Sequence, residues 1–80
     1  MSESVQVDEE LNLRGEVCPY TFVKSKLALE DLERGKILRV IVDNLESAEN
    51  VPRSLANEGN EVLAVGPAEG EAWSILVKKR

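Results

Sequence analysis

The chain holds one cysteine and no histidine. Cys18 stands in the stretch GEVCPYTFVK, directly before Pro19. A lone thiol forms no disulfide within its own chain. It is either a small core residue, as free cysteines often are, or a reactive group on display. Without histidine the commonest general base and metal ligand are missing. A Cys–His nucleophile pair cannot form within the chain, and the donor set argues against a zinc site. With no second cysteine, a dithiol cycle is excluded. The chemistry left to a reactive Cys18 is attack of its thiolate on an activated sulfur, retention of that sulfur as a persulfide, and delivery to another protein's cysteine. The steps are akin to thiol–disulfide exchange. They call for no cofactor, no metal and no enclosed pocket.

The elements around Cys18 decide whether a thiolate would be stabilised. ELNLRG, residues 10–15, alternates, with Leu11 and Leu13 on one side and Asn12 and Arg14 on the other, and predicts a short strand that Gly15 ends. A helix is expected over residues 19–34. Proline suits a first helical turn, and Phe22, Ser25, Ala28, Leu29 and Leu32 share one face. Gly35 stands where a left-handed C-cap is expected. Cys18 then takes the N-cap and Pro19 the first helical position. Tyr20 and Thr21 follow, with backbone N–H groups that have no partner inside the helix. A thiolate there gains from the donors and from the helix dipole. Cysteines so placed fall from a pKa of about 8.5 to roughly 3.5–7.5. The same end would stabilise the anionic outer sulfur of a persulfide. Glu16 opposes this shift, while Arg14 and Lys24 favour it.

KILRVIVD, residues 36–43, reads as an interior strand. Strand, helix and strand suggest a right-handed βαβ unit with parallel strands. Asp43 and Asn44 offer capping oxygens to a second helix over residues 47–58. Pro52 predicts a kink there, or a short turn and a second helical piece, and Gly59 closes it. EVLAVG and EAWSILVKK are two more strands. The short connection between them, with Pro67, Glu69 and Gly70 as turn residues, implies an antiparallel hairpin. The order βαβαββ predicts an α/β fold: a two-layer sandwich with two helices on one face of a four-stranded mixed sheet. Residues 1–8 read as a flexible acidic tail and residues 9–80 as one domain.

Composition narrows the function classes. Net charge is −5 over 80 residues, which opposes direct nucleic-acid binding, since that rests on Lys and Arg neutralising phosphates. Only Tyr20, Phe22 and Trp73 could stack bases; Phe22 falls on the core face, and Trp73 reads as sheet packing. No apolar run approaches the roughly 18 residues of a membrane span. The first ten residues lack the basic and apolar segments of a secretory signal. A cytoplasmic setting without membrane insertion is expected. The acidic groups Asp8-Glu9-Glu10 and Glu30-Asp31 read as solvated surface. Tyr20, Val23 and Leu27 form a second helix stripe, either packed at an edge or exposed for docking partners. Lys24 and Lys26 read as solvated charges that could also steer an acidic partner.

Together these residues resemble the TusA-like (SirA-like) sulfur-carrier family from Leu11 to Arg80. Leu11, Arg14, Gly15, Cys18 and Pro19 match its first block, and Lys24 and Lys26 the helix after it. Gly35 matches the turn before the central strand, Asp43 with Val51-Pro52 the D…[IV]-P stretch, and Gly59 with Glu61-Val62 the start of a later strand. The resemblance implies the βαβαββ fold, a persulfide on Cys18, and transfer between proteins. It implies a cysteine desulfurase or rhodanese-like donor and a separate acceptor protein. Pro19, Tyr20, Thr21, Arg14, Gly15 and Glu16 are then the supporting residues, and Val23, Lys24 and Leu27 the candidate docking residues. Two departures stand out. The usual C-P-x-P motif reads Cys18-Pro19-Tyr20-Thr21, so Thr21 keeps an N–H and adds a hydroxyl that is expected to reach Cys18. Asn12 stands where the family usually has aspartate. The alternative from another class is a regulatory or protein-binding module of the same fold with an inert cysteine.

Overall fold

The computed structural model describes residues 7–17 and 19–80. Its elements run β1 (Glu9–Asn12), α1 (Tyr20–Glu30), β2 (Ile37–Val42), α2 (Leu45–Asn57), β3 (Glu61–Ala68) and β4 (Ala72–Lys78). They form the expected βαβαββ sandwich. The sheet order is β1-β2-β4-β3. β1 pairs parallel with β2, with Asn12 opposite Ile41. β2 and β3 each pair antiparallel with β4.

Alternation along the two central strands builds the core. Leu38, Val40 and Val42 of β2, and Ile75 and Val77 of β4, point to one face and are fully buried. Leu29 of α1 and Ala48, Val51 and Leu55 of α2 close over them, joined by Leu13. Phe22, Ala28, Leu32 and Trp73 pack against this cluster, as their spacing predicts. Both helices therefore lie on one side of the sheet.

The elements depart from the sequence expectation at several places. α1 begins at Tyr20, with Pro19 as N-cap: the Pro19 carbonyl accepts the first helical bond, from Val23 N–H at 3.0 Å. α1 also stops at Glu30 with Asp31 as C-cap, because Leu32 N–H turns back to Leu29 O in a tighter loop. Gly35 adopts φ +88° in the following turn, not at the helix end, and its N–H donates to Lys79 O. α2 runs unbroken through Pro52. Proline removes the donor that would reach the Ala48 carbonyl and costs about 3 kcal/mol, but the burial of Val51 and Leu55 on either side of it holds the helix together. Pro67 lies within β3, opposite Trp73, not in the turn. β3 is an edge strand, where a missing N–H on the free side loses no ladder bond. At the other end Asp8 already joins the sheet: it donates its N–H to Ile37 O and accepts Ile37 N–H on its carboxylate, each at 2.9 Å.

Candidate functional site

Cys18 lies outside the described residues; the chain leading to it and away from it is defined. After β1, Leu13 N–H bonds Ile41 O at 2.8 Å, carrying the parallel ladder one residue further. Arg14 N–H turns to Asn12 Oδ1 at 3.1 Å, an acceptor that the family's usual aspartate would also offer. Gly15 takes φ +88°, a value that favours glycine, and its N–H donates to Asp43 Oδ2 at 2.9 Å. Glu16 N–H returns to Leu13 O at 3.0 Å. The Glu16 carbonyl accepts from Asn44 Nδ2 at 2.9 Å. The Val17 carbonyl accepts Tyr20 N–H at 2.9 Å and Thr21 N–H at 3.3 Å.

These bonds alter the sequence picture of the helix N-terminus. Tyr20 and Thr21 are one position earlier in the helix than expected, and their N–H groups are engaged by Val17 O. Thr21 is fully buried, and its hydroxyl shares a 3.0 Å hydrogen bond with Ser47 Oγ of α2. Ser25 Oγ donates to Thr21 O at 2.7 Å. Thr21 thus joins α1 to α2; the contact expected between its hydroxyl and Cys18 lies outside the described residues.

The charged residues divide. Lys24 Nζ meets Glu16 Oε2 at 2.9 Å, so two charges expected to act oppositely on the thiol are paired with each other. Arg14 is not gathered with them. Its guanidinium donates to Glu69 O at 2.9 Å and helps line a cleft of about 330 Å³ with Glu10, Arg39 and Glu69. Lys26 meets Glu58 at 3.6 Å. The open second stripe resolves toward exposure: Tyr20 is 60%, Val23 44% and Leu27 55% exposed, and Val17 adds a fourth apolar side chain at 54%. Among the described residues, no cluster of acidic or thiol side chains could hold a metal, and no helix is long and apolar enough to cross a membrane.

Asp43, Asn44 and Ser47 are the residues that sequence reasoning missed at the site. Asp43 and Asn44 were both expected to cap α2. Only Asn44 does so, through Ser47 N–H at 2.8 Å, while Asp43 holds Gly15. The available signal was the tandem itself: two capping residues stand where a helix uses one.

The model of the sulfurtransferase TusA family matches residues 9–79. A relative from Archaeoglobus fulgidus, provisionally named a sulfur carrier protein, is 48% identical over 79 residues, 99% of this chain and 90% of its own. One of the same provisional name from Thermotoga maritima is 42% identical over 76 residues, 91% of this chain and 92% of its own. YedF of Escherichia coli, likewise provisionally named a sulfur carrier, is 32% identical over 96% of this chain and 99% of its own. The solved SirA-like protein from Desulfitobacterium hafniense has the same fold, with a TM-score of 0.78 at 24% identity over 88% of this chain and 95% of that one.

Proposed function

We propose, on the premise that the chain belongs to the sulfurtransferase TusA family, that it is a sulfur carrier whose Cys18 takes up sulfane sulfur as a persulfide and passes it to a partner protein. The observation that carries this reading is the family match, which runs across the chain's one cysteine. The Cys18 thiolate attacks the outer sulfur of a donor persulfide, R–S–SH. One S–S bond forms to Cys18 and the donor's S–S bond breaks. The donor leaves as R–S⁻ and the outer proton stays on the new Cys18–S–SH. The second transfer repeats this exchange, with an acceptor thiolate as nucleophile and Cys18 as leaving group. No redox equivalent is consumed in either step.

The donor is a cysteine desulfurase or a rhodanese-like protein, and the acceptor a second protein with a thiol. The exposed stripe of Val17, Tyr20, Val23 and Leu27 supports docking beside Cys18, with Lys24 at its edge. A chain with a single thiol and no disulfide suits the reducing cytoplasm. Nucleic acid is not a direct partner, in keeping with the charge of −5.

The test is intact-protein mass spectrometry after incubation with a desulfurase and cysteine, or a rhodanese and thiosulfate. A gain of one sulfur atom, reversed by reductant and absent in Cys18→Ser, is expected. A folded protein with a reactive thiol that gains no sulfur from either donor would turn the reading to a protein-binding module.

A further inference from the structure

The loop that delivers the chain to Cys18 is held by a neighbouring corner that lies 28 residues further along the chain. Between residues 13 and 17, two backbone groups are bonded by side chains of the β2–α2 corner: Gly15 N–H by Asp43 and the Glu16 carbonyl by Asn44. Both bonds are 2.9 Å and both span 28 residues of sequence. Asn44 uses both ends of its amide. Nδ2 holds Glu16, while Oδ1 caps α2 through Ser47 N–H. The corner is itself immobilised, because Val42 before it is fully buried and Ser47 after it is buried against Thr21. Helix capping needs only the acceptor oxygen. The amide donor on Glu16 and the Asp43 carboxylate on Gly15 contribute nothing to capping, and both point at the loop.

We infer that Asp43 and Asn44 form a positioning pair for the Cys18 thiol, fixing the Gly15–Glu16 segment against the α2 corner so that the residues that follow approach α1 in one geometry. The inference rests on Cys18 being the working thiol of the proposed carrier. A thiolate attacking along an S–S axis is sensitive to small displacements of its supporting loop. Each acts through a backbone group of the loop.

Two neutral comparisons isolate the role. Asn44→Ser keeps a capping oxygen and deletes only the donor on Glu16. Asp43→Ala and Asp43→Asn remove the same charge, but only the asparagine retains an acceptor for Gly15 N–H. The readout is the pH–rate profile of Cys18 alkylation by iodoacetamide, together with the rate of persulfide uptake. In Asn44→Ser and Asp43→Ala, the midpoint of the profile is expected to move away from the wild-type value, with uptake slowed by up to about a hundredfold, the scale of loss that a misplacement of about 1 Å produces. Asp43→Asn is expected to restore the wild-type profile. Val77→Ala, a core truncation remote from the corner, lowers stability without moving the midpoint. An unmoved midpoint in both Asn44→Ser and Asp43→Ala overturns the inference, as does equal behaviour of Asp43→Ala and Asp43→Asn, which would assign the effect to charge. Should Asn44→Ser not fold, the pair of Asp43 variants decides alone. Alkylation needs no sulfur donor, so a wild-type protein that takes up no sulfur refutes the carrier reading while the profiles still decide the role of the pair.

Discussion

The Gly15 N–H donates to Asp43 Oδ2 at 2.9 Å, across 28 residues of chain. The parallel register explains why the two meet. Asn12 lies opposite Ile41, so the residues that leave β1 run level with those that leave β2. Both strands finish at the same end of the sheet, where their outgoing loops lie side by side. The cysteine loop therefore has a neighbour whose side chains can hold it, and that neighbour is the start of α2.

The buried Thr21–Ser47 contact is expected to matter for stability. Both residues are fully buried and their hydroxyls are 3.0 Å apart. Thr21→Val should cost about 1–3 kcal/mol in urea unfolding, because burying a polar group away from its partner is costly. The double variant with Ser47→Ala should lose less than the sum of the two single variants. A strictly additive double-mutant cycle would mean that the two hydroxyls do not interact.

Leu27→Glu separates docking from packing. Leu27 is 55% exposed, so its replacement should change stability by no more than about 0.5 kcal/mol. Transfer of sulfur from loaded protein to an acceptor should fall, while alkylation of Cys18 by a small reagent stays unchanged. Unfolding of the variant at much lower urea would show instead that Leu27 packs.

Pro52→Ala should raise stability. It restores a donor to the Ala48 carbonyl within α2 and relieves an interior-proline cost of about 3 kcal/mol. Loss of proline's restraint on the unfolded chain offsets about 0.4–1 kcal/mol of that. The remaining gain of about 2 kcal/mol should raise Tm by about 8 °C or more in a domain of this size. A lower Tm would mean that the ring itself packs favourably.

Gly35→Ala tests backbone conformation alone. Gly35 has φ +88°, and a Cβ there would meet no atom within 4 Å. The substitution creates no clash, so its cost is that of placing an L-residue in the left-handed region, about 1–2 kcal/mol. Calorimetry should show Tm lowered by several degrees, with the alkylation profile of Cys18 unchanged because the turn lies far along the chain from the site loop.

Much of the molecule was legible before folding. The dense run of apolar and β-branched residues over 36–43 gave the interior strand, and the helical spacing of Phe22, Ser25 and Leu29 gave the inward face of α1, because burial selects helix residues by their periodicity. The sequence by itself also bounded the chemistry: with one thiol, no histidine and no second cysteine, a reactive Cys18 is limited to sulfur exchange, and an inert one to packing. Helix ends and the two prolines were less legible. Pro52 and Pro67 break local rules that neighbouring burial and an edge position override. Only the tertiary structure decided the surroundings of the cysteine loop. Glu16 with Lys24, Arg14 with Glu69, and Gly15 and Glu16 with Asp43 and Asn44 are pairings set by strand register and by the packing of α2. A hydrogen bond across 28 residues leaves no periodic trace in the chain, so the partners of the loop became visible only once the two strands lay side by side.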